Sequence, residues 1–145
     1  RICTENSFLG RKKANNYELS TMNYWIVFIG GGLGALMRFG LNHLNFLNNK
    51  NIWTSTLIAN VLASLIIGIL SALNNSGKLS ISSSTWLFLA TGFCGGLSTF
   101  STFSLELFQW IQNDKWLLVL GYIAMNVVLC TALIAISSWL IQTTP

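Results

Sequence analysis

"GFCGGLSTFSTFSLE", residues 92–106, lies in the middle of an otherwise apolar run. Three glycines, five hydroxyl side chains and the carboxylate of Glu106 stand where a membrane helix ordinarily places leucine. Gly92, Gly95 and Gly96 disfavour a continuous helix, so the break is expected within Gly92–Gly96. The hydroxyls that follow can satisfy backbone groups that a break releases. Irregular backbone at membrane depth persists only where protein buries it or where it lines a water-filled cavity. The stretch therefore predicts a span made of two half-helices. The end near Gly95 presents carbonyls, and the start around Ser98 to Phe100 presents N–H groups and the positive end of a helix dipole. Carbonyls suit a cation and N–H groups an anion. The expectation is an ion-handling site near the midplane.

Working outward, four stretches have the roughly 20 apolar residues that a bilayer core requires. They are Tyr24–Leu41, Ile52–Leu73, Trp86–Ile111 (which contains the opening motif) and Trp116–Ile141. All six tryptophans fall near ends of these runs, as interfacial aromatic belts do. The runs lack the alternation that a membrane β-barrel needs. The connections "NHLNFLNNKN", "NNSGKLSISSST" and "QNDK" are short and polar. The fold class expected is an all-α membrane protein of four transmembrane helices, the third broken.

Composition agrees. The chain of 145 residues is 52% hydrophobic and only 8% charged, against about 25% charged for a soluble domain. Residues 1–21 read as a polar extension without an apolar segment of their own, and residues 22–145 as the membrane domain. The net charge of +4 is scattered apart from Arg11, Lys12 and Lys13. No basic stripe interleaved with aromatics argues for nucleic acid. Cys94 and Cys130 read as small buried hydrophobes, and His43 has no neighbour with which to build a metal site. Outside the extension, the loop charges (Lys78 on one side, Lys50, Lys115 and Arg38 on the other) are nearly balanced, so they do not fix one orientation.

Polar residues recur inside the spans. Thr56, Asn60, Ser64 and Gly68 are spaced by four, as are Tyr122, Asn126 and Cys130, so each set shares a helix face. Such stripes serve either close helix packing or a polar path, and spacing alone leaves both open. Arg38 either snorkels to the interface or makes the mouth of a vestibule positive. Phe100 and Phe103, three apart, share a face; they pack, or they turn electropositive ring edges toward a small anion.

Three stretches, "GGGLGALMR", "STLIAN" and "GFCGGLSTFSTFSLE", in this order and spacing resemble the CrcB/Fluc family of fluoride channels. The resemblance runs from residue 22 to about residue 141. It implies an antiparallel, dual-topology homodimer in the cell membrane, with two pores that let toxic fluoride leave down its electrochemical gradient. Pairing with a paralogous chain is an alternative. It implies that Asn60, Thr56, Phe100, Phe103, Ser101, Thr102, Tyr122, Glu106 and Arg38 belong to the fluoride pathway. It further implies a structural Na⁺ between subunits, held by the backbone carbonyls of Gly95 and Ser98. Ser98 stands where threonine is usual in the family. Asn126 and Cys130 stand where small or hydroxyl residues are expected.

Two rival readings differ in kind. A small dual-topology exporter of cationic drugs needs an acid early in the chain, whereas the first span carries Arg38 and no acid. A non-transporting scaffold would use glycines and hydroxyls only to pack helices. An enzyme is not expected, because no nucleophile–base pair or metal constellation stands out.

Overall fold

The computed structural model describes residues 2–47 and 52–143, with side chains described over 21–44 and 53–143. Lys50 falls outside these residues, and the side chains of Arg11, Lys12 and Lys13 fall outside those described. Helix α1 runs from Ile2 to Leu47 and α2 from Ile52 to Asn75. The third span begins with a short turn, α3 (Ser83–Trp86), and widens into a π-helical segment, Leu87–Cys94. It ends its first half in α4 (Gly95–Leu97) and resumes as α5 (Phe100–Gln112). Helix α6 spans Trp116–Thr143. No strand occurs among the described residues.

Thr21–Leu44, Trp53–Asn75 and Trp116–Thr143 are each long and apolar enough to cross a membrane. The broken span has no such helix. Its longer half, α5, has 13 residues, about 20 Å at 1.5 Å per residue, short of the roughly 30 Å hydrocarbon core. The protein is thus an all-helical, multi-pass membrane protein whose third span crosses in two pieces. Helix α1 continues past the expected end at Leu41, because "NHLNFL" contains no proline or glycine to stop it. Connections are made by residues suited to left-handed backbone: Gly77 (φ 67°) follows α2, and Asp114 (φ 55°) turns α5 into α6.

The break lies later than the glycines suggested. Gly92 is within the π segment and Gly95 and Gly96 are helical; the irregular residues are Ser98 (φ −72°, ψ 153°) and Thr99 (φ −151°, ψ 117°). The glycines do something else. Helix α1 packs on the π segment and α4, and Gly30, Gly34, Gly92 and Gly96 form that contact backbone against backbone. A Cβ on Gly34 would be driven into the Phe93 carbonyl oxygen and would lie 2.7 Å from the Leu97 nitrogen. One on Gly96 would meet the Gly31 carbonyl. Such close approach is how small residues build helix interfaces in lipid, where burial of apolar surface gives little drive.

On the other side, α2 packs most extensively on α6. Its alanines Ala59 and Ala63 meet Cys94 and Leu97 in a small core. Helix α2 is therefore central, between the first half of the broken span and α6, and this location sets its polar stripe beside the break.

Candidate ion-conduction site

Two hydrogen bonds end the first half of the third span. The Ser98 amide and hydroxyl both donate to the Cys94 carbonyl, each at 2.9 Å. The next amide leaves the helix: Thr99 N–H donates to Asn60 Oδ1 of α2 at 2.9 Å. In a continuous α-helix that N–H would bond the Gly95 carbonyl, so Asn60 releases Gly95 from its α-helical donor. Thr99 then begins α5 as an N-cap, its Oγ1 accepting from Thr102 N–H at 3.3 Å. A polar side chain of α2 thereby holds the junction between the half-helices.

Asn60 is held from a second side. Its Nδ2 donates to Asn126 Oδ1 at 3.0 Å, and Asn126 Nδ2 donates to the Tyr122 carbonyl at 3.1 Å. Asn126 is only 5% exposed. Beside the two amides opens a cavity of about 290 Å³, lined among others by Asn60, Ser64, Phe100, Phe103, Asn126 and Cys130. Phe100 and Phe103 share its wall, ring centroids 5.9 Å apart and tilted by 44°.

One helical turn further along α5, Glu106 is buried at 7% exposure. Thr56 Oγ1 donates to its Oε1 and the Tyr122 hydroxyl to its Oε2, both at 2.7 Å. The Tyr122 oxygen also lies 3.1 Å from the Trp53 carbonyl. Rings of Phe103, Trp110 and Trp53 surround Tyr122 at 5.0, 5.3 and 5.8 Å between centroids. Charged groups in a membrane are costly and survive when paired or hydrogen-bonded within protein; here two hydroxyls and an aromatic wall provide that.

The nine residues expected on the pathway therefore divide. Asn60, Phe100 and Phe103 come together at the cavity. Thr56, Glu106 and Tyr122 form the hydrogen-bonded group next to it. Ser101 and Thr102 lie on the first turn of α5, and their hydroxyls meet Thr99 Oγ1 at 3.3 and 3.0 Å rather than the cavity wall. Arg38 reaches the break itself: its Nη1 lies 3.4 Å from the Ser98 carbonyl oxygen. Asn126 and Thr99 were absent from the expected set. Asn126 had a sequence signal, the four-residue spacing from Tyr122. Thr99 enters through its backbone N–H, one of the half-helix N–H groups expected around Ser98 to Phe100, but its partner Asn60 comes from another helix.

The arrangement offers amide and hydroxyl donors, aromatic rings and freed carbonyls at one point within a helical membrane protein. Comparison with known proteins agrees. The family model described as CrcB-like protein, Camphor Resistance (CrcB), matches residues 25–138. A protein of Leptospira interrogans named fluoride-specific ion channel FluC is 41% identical over 106 residues, covering 71% of this chain and 81% of the relative. One of Pyrococcus abyssi with the same name is 41% identical over 109 residues, covering 75% and 87%. A third, of Gloeothece citriformis, is 39% identical over 102 residues, covering 70% and 81%. The family-model match reaches into all four spans and contains the break, Asn60 and Glu106, and the chain belongs to the CrcB family.

Proposed function

We propose that this protein is a fluoride-selective passive channel that lets fluoride leave the cell down its electrochemical gradient. The observation that carries the reading is the convergence of Asn60, Phe100 and Phe103 on one cavity at the break of the third span. Fluoride is small and strongly hydrated, so its passage needs substitute donors. Amide N–H groups and the electropositive edges of aromatic rings supply moderate attraction at several points, which conduction requires. Thr56, Glu106 and Tyr122 continue the path toward the end of the bundle marked by Trp53 and Trp110. Ser101 and Thr102 act one step removed, through the Thr99 cap. The relatives carry the name of a channel, and this chain is read as a conduit rather than an enzyme.

The functional unit in this reading is an antiparallel homodimer with two pores, in the cell membrane. Two features support a partner copy. Phe100 is 80% exposed although it stands on the cavity wall, and Gly95 is exposed at the junction of the half-helices. The nearly balanced loop charges suit insertion in both orientations. Gly95 and Ser98 also fit the structural Na⁺. The donor that would occupy the Gly95 carbonyl goes to Asn60, and the extended ψ of Ser98 turns its carbonyl out of the helix. Oxygen ligands of this kind suit a hard cation. Na⁺ held there would supply a fixed positive charge between the copies, and it would share the Ser98 carbonyl with Arg38, whose Nη1 takes one of its two acceptor sites.

Fluoride-loaded liposomes containing the purified protein test the reading with a fluoride electrode. Wild-type vesicles are expected to release fluoride rapidly and to retain chloride, and Phe100→Ile or Asn60→Asp to slow release at least tenfold. Wild-type vesicles that hold their fluoride would overturn it.

A further inference from the structure

Asn126 is one of the few strongly polar side chains buried in the spans, and its two amide atoms are both engaged. The partners fix the direction of each bond. Thr99 N–H is a donor only, so the Asn60 atom that meets it is Oδ1, and Asn60 must offer nitrogen to Asn126. The Tyr122 carbonyl is an acceptor only, so Asn126 offers nitrogen there and oxygen to Asn60. The result is a one-directional chain: Thr99 N–H to Asn60, Asn60 to Asn126, Asn126 to the Tyr122 carbonyl. Neither amide can flip without setting like groups against each other at one end. Each amide nitrogen carries two hydrogens and spends one in the chain. A second N–H remains on each of two residues that both line the cavity, the one on Asn126 also within reach of the Tyr122 hydroxyl oxygen.

We propose that Asn126 positions Asn60 and adds a second amide donor to the anion path, so that this chain's pore offers two locked N–H groups in succession. This rests on the pore reading above. The consequence is electrostatic. A free amide presents its carbonyl to a cavity as readily as its NH₂, and the carbonyl repels an anion. An amide locked in advance offers its N–H with no reorganisation when the ion arrives. Asn126 reaches across from α6 to α2, a span that a serine or alanine at the same position is too short to bridge. The lock also ties α6 to the break through Thr99, and so sets the cavity wall and the junction of the half-helices in one register.

Concentration dependence of fluoride release separates this from a packing role. Initial efflux rates are measured on liposomes across a series of fluoride concentrations for wild type, Asn126→Leu and Asn126→Ala. Only preparations that elute as the wild-type species enter the comparison. Loss of a positioned donor weakens anion binding, so the half-saturating fluoride concentration should rise at least threefold. A packing defect would instead lower the maximum rate by reducing the number of working channels, with half-saturation unchanged. A shift below threefold overturns the proposal, whatever happens to the maximum. Leucine tests an apolar side chain of similar size and alanine a small one; if either yields no wild-type-like species, the other is read by the same criterion. A conducting wild type with slow Asn60→Asp and unshifted Asn126 variants would sink only this proposal. A wild type that releases no fluoride would sink the channel reading beneath it.

Discussion

Before its break, the third span meets α1 through glycine backbone; after it, α5 meets α2 and α6 through a carboxylate and hydroxyls. The two contacts answer the same difficulty, that apolar burial does little to bring helices together in lipid. The first solves it by approach, with Gly34 and Gly96 so near the opposing chain that no Cβ fits. The second solves it by chemistry, with Glu106 between Thr56 and Tyr122. The difference separates what a substitution does in each half. A steric contact fails when an atom is added, and a polar contact fails when an acceptor is removed.

The largest effect is therefore expected at Gly34. Gly34→Ala places a methyl group against the Phe93 carbonyl and the Leu97 nitrogen, both backbone atoms that cannot rotate away. Overpacking ordinarily costs about 1–3 kcal/mol, and a clash with main chain belongs at or above the top of that range. The variant is expected to lose the wild-type elution peak in detergent, or to melt far below the wild type. Normal melting of Gly34→Ala would break the comparison, because it would mean that the half-span before the break is free to move off α1.

How far the sequence revealed this division depends on how local each cause is. The spans follow from apolar runs and the presence of a break from "GFCGGLSTFSTFSLE", because both are decided by neighbouring residues. The start of the second half-helix, expected around Ser98 to Phe100, was legible and is observed at Phe100, but the residues that cause the break were not. Gly92, Gly95 and Gly96 looked like the breakers, yet two of these glycines are required by α1, some sixty residues away. The actual break at Ser98 and Thr99 is fixed by Asn60 from another helix. Phe100, Phe103 and Asn60 were legible as a group through the family motifs. The pairing of Asn126 with Asn60 was hidden, because it depends on which faces of α2 and α6 meet. The hydroxyls of Ser101 and Thr102 were legible as residues but not in direction, since the N-cap at Thr99 draws them in.

A smaller effect is expected in the polar half. Glu106→Leu removes the acceptor for two hydroxyls. Tyr122 retains the Trp53 carbonyl at 3.1 Å, so the loss falls mainly on Thr56, whose hydroxyl can turn to a carbonyl of its own helix. The expected cost is about 1–2 kcal/mol, the net loss when two hydrogen bonds to a carboxylate are exchanged for bonds to backbone carbonyls. Glu106→Gln should cost less than about 1 kcal/mol. Its oxygen still accepts from Thr56, while its nitrogen donates to the Tyr122 oxygen and the Tyr122 proton passes to Trp53. Melting curves of the two variants side by side sharpen the contrast. If Gln is as damaging as Leu, the carboxylate acts through its charge, and hydrogen bonding is not what joins α5 to its neighbours.

The smallest effect is expected two residues from the largest. Gly32 lies on α1 between Gly30 and Gly34, but a Cβ placed there meets nothing within 4 Å. Helix geometry explains the difference: two residues apart means about 200° around the axis, so Gly32 faces away from the third span. Gly32→Ala adds no clash, and replacing a helical glycine limits the unfolded chain, which is worth about 0.4–1 kcal/mol where the backbone is compatible. A melting temperature equal to or slightly above the wild type is expected, with fluoride release unchanged. A large loss at Gly32 comparable to that at Gly34 would show that this face of α1 is covered in the assembled channel. The glycine contact would then extend to a second surface, and the steric half of the comparison would describe both faces of the first helix rather than one.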